Sequence, residues 1–304
     1  MPAFRDRFML GGMVRLLTQL AGRCRPDRGW RPAALKCVFI VATFFGLALT
    51  LVIVLAEKQR RAVTTIESFG GRVTYGGPNT GPLGALPPIT KDWLRRWLPA
   101  EYLDDVREVD LRRSQINDAG LAEVARLSGL KSLVLDGTQV TDAGLAHVER
   151  LTGLAKLSLA GTQVSDAGLE HLENLACLED LGLSFTRITD AGLTHLAGLK
   201  RLAWLSLDST QITDAALAHL RGLPGLQAVW LTSTPITDAG LSELQEARGL
   251  EMLFLDGTQV SDRGLACLEE LPDLQLVFVR RTHVTRAGVT HLGQALPRCR
   301  IAGP

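Results

Sequence analysis

From Val106 to Pro297 the chain repeats every 24 residues, eight times without insertion, with units opening at Val106, Leu130, Leu154, Leu178, Leu202, Leu226, Leu250 and Leu274. A unit of this length cannot bury a core alone, so the repeats must stack on one another and share one. A typical unit reads LxxLxLDGTQVTDAGLAHLxxLxG. Apolar residues at positions 1, 4 and 6, such as Leu130, Leu133 and Leu135, describe a short strand with one face turned inward. The second half changes period: Leu or Val at positions 16, 19 and about 22 forms the inner stripe of a helix.

The polar positions fit the same alternation. Position 9 is always Thr or Ser (Ser114, Thr138, Thr162, Thr186, Thr210, Thr234, Thr258, Thr282), where an inward hydroxyl can satisfy backbone groups as the chain turns away from the strand. Asp118, Asp142, Asp166, Asp190, Asp214, Asp238 and Asp262 hold position 13 and are expected as a ladder of helix N-caps. The last unit has Arg286 there, as suits a terminal repeat. Gly at position 15 lets neighbouring helices approach, with Ala216 the one exception.

The LxxLxLxxT run followed by I/V-T/S-D-A-G-L resembles the leucine-rich-repeat family, in particular its cysteine-containing or GALA-like subtype, with Thr where that subtype often has Cys. The likeness covers about two-thirds of the chain. It implies an α/β fold, a right-handed horseshoe with a parallel sheet on the concave side and helices on the convex side, used mainly to bind proteins. Because such repeats often follow an F-box in eukaryotes, it also implies an alternative role as substrate adaptor of a ubiquitin ligase. Leu98 to Val106, LPAEYLDDV, is only faintly similar to an F-box start, and the repeats begin at once, leaving no room for an independent F-box.

Ahead of the repeats, residues 1–36 form a basic N-terminal segment. Residues 37–56, CVFIVATFFGLALTLVIVLA, carry no charge and are long enough, at about 1.5 Å per residue, to cross a hydrocarbon core of about 30 Å. They are expected to form a single transmembrane helix. A cleaved secretory signal is the alternative, with Val54 and Ala56 resembling a small-residue cleavage site. Eight basic residues precede the span and four follow within 20 residues, so the N-terminus is expected in the cytoplasm and the repeats outside it. Residues 57–89 read as a juxtamembrane helix (57–69), a stop at Gly70-Gly71, a β-prone run from Arg72 to Tyr75 and a Gly/Pro linker. Residues 90–105, with Trp93, Leu94, Trp97, Leu98, Tyr102 and Leu103 roughly on one face, read as a helix capping the repeats. Residues 298–304 form the C-terminal end.

Candidate chemistry is sparse. Formal net charge is +1, which speaks against a dominant nucleic-acid surface. The five cysteines show no zinc spacing and are expected as free thiols, most of them buried. His147, His171, His195, His219 and His291 recur at position 18, but Glu123, Glu243 and Cys267 hold the same slot elsewhere, which reads as scaffold. No nucleophile elbow, metalloprotease or phosphate-loop motif occurs. No enzyme activity, cofactor or metal is therefore expected.

Composition sharpens one point. Of 304 residues 54 are leucine, and aromatics make up only 5%. Within the repeats the aromatics are Phe185, Trp204, Trp230, Phe254 and Phe278. Since positions 4 and 6 face the core, positions 3 and 5 face the concave side, which puts Trp204, Met252 and Leu276 at position 3 and Trp230, Phe254 and Phe278 at position 5 on that face. With Phe185 at position 8, they form a candidate apolar strip for a protein or peptide partner. Glu108, Asp110, Arg112, Lys156 and Asp180 make the preceding half polar. Changing Trp204, Trp230 and Phe254 to Ala is expected to abolish capture while leaving the melting midpoint nearly unchanged.

Overall fold

The computed structural model describes residues 54, 56–76 and 105–303. Ten strands form one sheet in strict chain order, from β1 (Arg72–Tyr75) and β2 (Val106–Asp110) to β9 (Leu276–Phe278) and β10 (Arg300–Ala302). Each of the eight units supplies one strand: β2, β3 (Ser132–Val134), β4 (Lys156–Ser158), β5 (Asp180–Gly182), β6 (Trp204–Ser206), β7 (Ala228–Trp230), β8 (Met252–Phe254) and β9. From β2 onward every pair is parallel with a shift of one whole unit, Leu133 beside Leu157 and Leu205 beside Val229.

One aliphatic core runs the length of the repeats. The second unit fills it from seven positions: Leu130, Leu133, Leu135, Val140, Leu145, Val148 and Leu151, none more than 1% exposed. At roughly 1.5–3 kcal/mol of burial each, such residues hold neighbours together. After each strand the chain takes one left-handed residue at position 8 in all eight units: Arg113, Gly137, Gly161, Phe185, Ser209, Ser233, Gly257 and Arg281. The buried position-9 hydroxyl then donates to the carbonyl three residues back, as in Thr138 to Leu135 (2.6 Å) and Thr234 to Leu231 (2.5 Å). The expected use of this hydroxyl is observed from Thr138 to Thr282.

The ladder of aspartates does something other than capping its own helix. The capping position is residue 12 (Asn117, Thr141, Ser165, Thr213, Thr237, Ser261 and Thr285), and Asp118, Asp142, Asp166, Asp214, Asp238 and Asp262 are the first helical residues. Each carboxylate instead reaches into the following unit. Asp118 accepts from the Thr141 N–H (2.8 Å) and hydroxyl (2.7 Å), and the pair of bonds recurs from Asp142 to Ser165, Asp166 to Thr189, Asp190 to Thr213, Asp214 to Thr237, Asp238 to Ser261 and Asp262 to Thr285. Residues 23 apart lie in contact only once the units have stacked, so local propensity could not reveal the bond. The eighth unit has Arg286 at this position in place of the carboxylate. Position 15 is Gly because that same carboxylate fills the space: a Cβ on Gly168 would lie 2.5 Å from Asp142 Oδ1. Ala216, the exception, packs beside the fourth unit, whose outer helix is 3-10 throughout (Gly192–Gly198).

The N-terminal end of the core is closed by residues assigned from sequence to a juxtamembrane stretch. A helix whose described part covers 56–68 buries Ala62 and Ile66 in the core, and Phe69, Val73 and Tyr75 pack against it. β1 pairs antiparallel with β2, Val73 opposite Val109, and so covers the first strand's open edge. The cap helix expected over 90–105 lies outside the described residues except Asp105, which is not helical. The membrane helix expected over 37–56 lies outside them except for Val54 and Ala56; among the described residues no helix is long and apolar enough to cross a membrane. Cys177, Cys267 and Cys299 are free and half-buried rather than fully buried, and burial pushes the Cys299 thiol up to about 11.

Candidate interaction surface

The sheet's inner-facing residues stand in two rows set by its register. One row reads Glu108, Ser132, Lys156, Asp180, Trp204, Ala228, Met252, Leu276, Arg300; the other reads Asp110, Val134, Ser158, Gly182, Ser206, Trp230, Phe254, Phe278, Ala302. Six of the seven strip residues expected from sequence come together here. Trp204, Met252 and Leu276 share the first row with Ala228 between them, and Trp230, Phe254 and Phe278 are consecutive in the second. Phe185 stands apart, at the left-handed turn beyond β5 (φ 59°) and 66% exposed. It is a rim residue.

The second row is more ordered than alternation alone implies. Strand spacing of about 4.8 Å is close to ring-stacking distance, and the three rings use it: Trp230 and Phe254 stack with centroids 5.0 Å apart and planes 9° from parallel, and Phe254 and Phe278 at 4.9 Å and 10°. Arg280 closes the far end, its guanidinium 5.7 Å from the Phe278 centroid. Trp204, 44% exposed, stacks on no ring among the described residues.

Position 7 adds a polar border that sequence reasoning did not single out. Asp136, Asp208 and Asp256 accept the backbone N–H of position 7 in the next unit, Asp208 from Thr232 and Asp256 from Arg280, each at 2.7 Å. The Asp208 carboxyl is held above the usual carboxylate range, because desolvation outweighs the lowering effect of bonds from Thr232, Ser206 and Ser184. No Lys, Arg or His among the described residues pairs with it. Its neighbours do better: Asp180 pairs with Lys156, and Asp136 lies 3.7 Å from Arg112.

The histidine ladder occupies the other side. His171, His195 and His291 face Glu149 (3.8 Å), Glu173 (2.6 Å) and Glu269 (2.8 Å) of the preceding units. Arg221 and Glu243 make the same cross-unit pair with the charges exchanged, at 3.1 Å. Among the described residues no group of three or more His, Cys, Asp or Glu is placed to hold a metal ion.

No protein-family model matches the chain, and no curated protein matches it. Solved structures do. An internalin of Listeria monocytogenes is 26% identical with a TM-score of 0.50, over 60% of this chain and 49% of the other. Internalin C2 of the same organism is 25% identical with a TM-score of 0.53, over 66% and 81%. A leucine-rich-repeat protein of Leptospira interrogans is 21% identical with a TM-score of 0.42, over 59% and 56%. This chain thus spans about half the length of the first and about four-fifths of the second. The repeated parallel strand and outer helix are those of a leucine-rich-repeat solenoid.

Proposed function

We propose that this chain is a protein-binding module that receives its partner on the concave face of units five to eight, and that residues 37–56 hold it in a membrane as a single span with the N-terminus cytoplasmic and the repeats outside. The observation that carries the binding reading is the apolar strip of Trp204, Met252, Leu276 and the Trp230–Phe254–Phe278 stack on a face whose preceding half is charged. Large aromatic and Met surfaces of this kind are disfavoured toward water and suited to partner contacts, while a polar flank orients what binds. The absence of a catalytic motif from the sequence supports a binder rather than an enzyme. The signature from position 11 to 16 supports assigning the units to the cysteine-containing or GALA-like subtype. Membrane attachment is supported by the uncharged run of 20 residues and by the excess of basic residues before it.

Two experiments test this. A photo-crosslinking residue placed at Trp204 should capture a protein that the same residue at the convex Arg150 does not; equal capture at both would sink the concave reading. Protease added to intact cells should digest the repeats, and digestion only after lysis would reverse the sidedness.

A further inference from the structure

The aromatic stack has two ends, and they are finished differently. At Phe278 the outer ring face is covered by Arg280. At Trp230 the face turned away from Phe254 looks toward the fifth unit, where the register partner is Ser206 and the one beyond it is Gly182. Among the described residues no ring or cation lies against that face. The small residues leave a stacking place open one strand spacing, about 4.8 Å, from the indole. Trp204 stands two residues before Ser206 on the same strand, and Asp208 two residues after it, its carboxylate accepting the Thr232 N–H at 2.7 Å while the Ser206 and Ser184 hydroxyls share a bond of 2.5 Å.

We propose that this place takes an arginine side chain of the partner, its guanidinium stacked on Trp230 over Ser206 and Gly182 and paired with Asp208. This deepens the concave-face reading and rests on it. Three observations converge on a guanidinium. The place lies against an indole face over two small residues, it borders a carboxylate with which no Lys, Arg or His among the described residues pairs, and the opposite end of the same stack is closed by a guanidinium already. A planar cation satisfies both the ring face and the carboxylate, whereas an ammonium has no plane to stack. An aromatic group from the partner would fill the slot but leave Asp208 unpaired.

The probe is the peptide acetyl-Gly-Arg-Gly-amide, added to the full-length chain in detergent with 15N-labelled tryptophan; the Trp230 indole signal is identified by its loss in Trp230→Phe. A saturable shift of that signal is expected. Asp208→Asn should weaken binding by about tenfold, the scale of a lost charge-assisted bond. Ser206→Phe, which extends the stack by one ring as three successive units already do, should abolish it. Replacing the peptide's arginine by lysine should weaken binding, and citrulline, which keeps the plane but not the charge, should weaken it further. If Ser206→Phe does not fold, as judged by circular dichroism, the Asp208→Asn variant and the peptide series still decide. No saturable shift, undiminished binding in Asp208→Asn, or citrulline equal to arginine would overturn the slot. Capture of a partner by the crosslinking residue at position 204 but not at 150, alongside indifference to the arginine peptide, would leave the concave surface standing and remove the slot alone.

Discussion

Asp142 of the second unit holds Ser165 of the third by two bonds at once, its Oδ1 accepting the backbone N–H at 2.7 Å and its Oδ2 the hydroxyl at 2.6 Å. The same two-point bond joins every successive pair of units, and it explains three sequence positions together: the Asp, the following unit's Ser or Thr, and the Gly whose missing Cβ gives the carboxylate room. Removing the carboxylate leaves a half-buried N–H and hydroxyl to find water. Asp142→Ala is expected to cost about 1–3 kcal/mol, and Ser165→Ala in that background to add much less than alone. Urea midpoints of the two single variants and the double variant provide the cycle; strict additivity would show that the bond has no energetic weight.

Helix propensity and packing make opposite predictions at the position-15 glycines. An alanine in a helix normally gains about 1 kcal/mol over glycine, but at Gly168 it would press its Cβ on Asp142 Oδ1. Gly168→Ala should therefore lower the thermal midpoint. At Ala216, where the preceding helix is already 3-10, Ala216→Gly should cost less than the usual helical penalty. A rise in midpoint for Gly168→Ala would remove the steric explanation.

Burial makes Asp208 hold its proton more tightly in the folded protein than in water. A raised folded pKa means that the ionised form is a burden on the fold, present above that pKa and relieved as pH falls through it. Asp208→Asn keeps an oxygen for the Thr232 N–H and removes the charge. It is expected to be more stable than wild type at pH 7, with the advantage shrinking toward pH 4 as the native carboxyl takes up its proton. Asp262 behaves oppositely: bonds from the Thr285 hydroxyl and N–H hold it below the usual range, so its contribution is present at neutral pH and fades only under stronger acid. An unchanged pH-stability profile in Asp208→Asn would contradict this.

The stacked row changes what alanine substitutions on the concave face should do. Trp204 is exposed and touches no ring among the described residues, so Trp204→Ala should reduce partner capture with little change in melting. Phe254 lies between two rings, each stacked pair being worth about 0.5–1.5 kcal/mol, and Phe254→Ala should lower stability by about 1–3 kcal/mol as well. Equal melting midpoints for the two variants would mean that the stack carries no energy.

Much of the fold can be read directly from the chain. The 24-residue period, the inward positions 1, 4, 6, 16, 19 and 22, the position-9 hydroxyl, the helix ending near Phe69 and the strand from Arg72 to Tyr75 all follow from local pattern, and the structure has them. The strip residues were legible because alternation on a strand is strict. What local pattern does not carry is contact between units. Asp118 looks like an N-cap because its neighbours in sequence are those of a helix start; its real partner, Thr141, is 23 residues away. Likewise nothing local distinguishes Ala62 and Ile66, which seal the core, from a spacer helix, and nothing near Asp208 in sequence reveals that burial outweighs its hydrogen bonds.

The inter-unit bond also has a direction in time. In every pair the carboxylate belongs to the earlier residue and the N–H and hydroxyl to the later one, 23 positions downstream. A chain made from its N-terminus has each acceptor in place before its donors are synthesised, and the first unit, with no predecessor, receives its seal from residues 56–75, made earlier still. Each new turn therefore docks on a finished one, so the solenoid is suited to assemble as it emerges, without waiting for its far end.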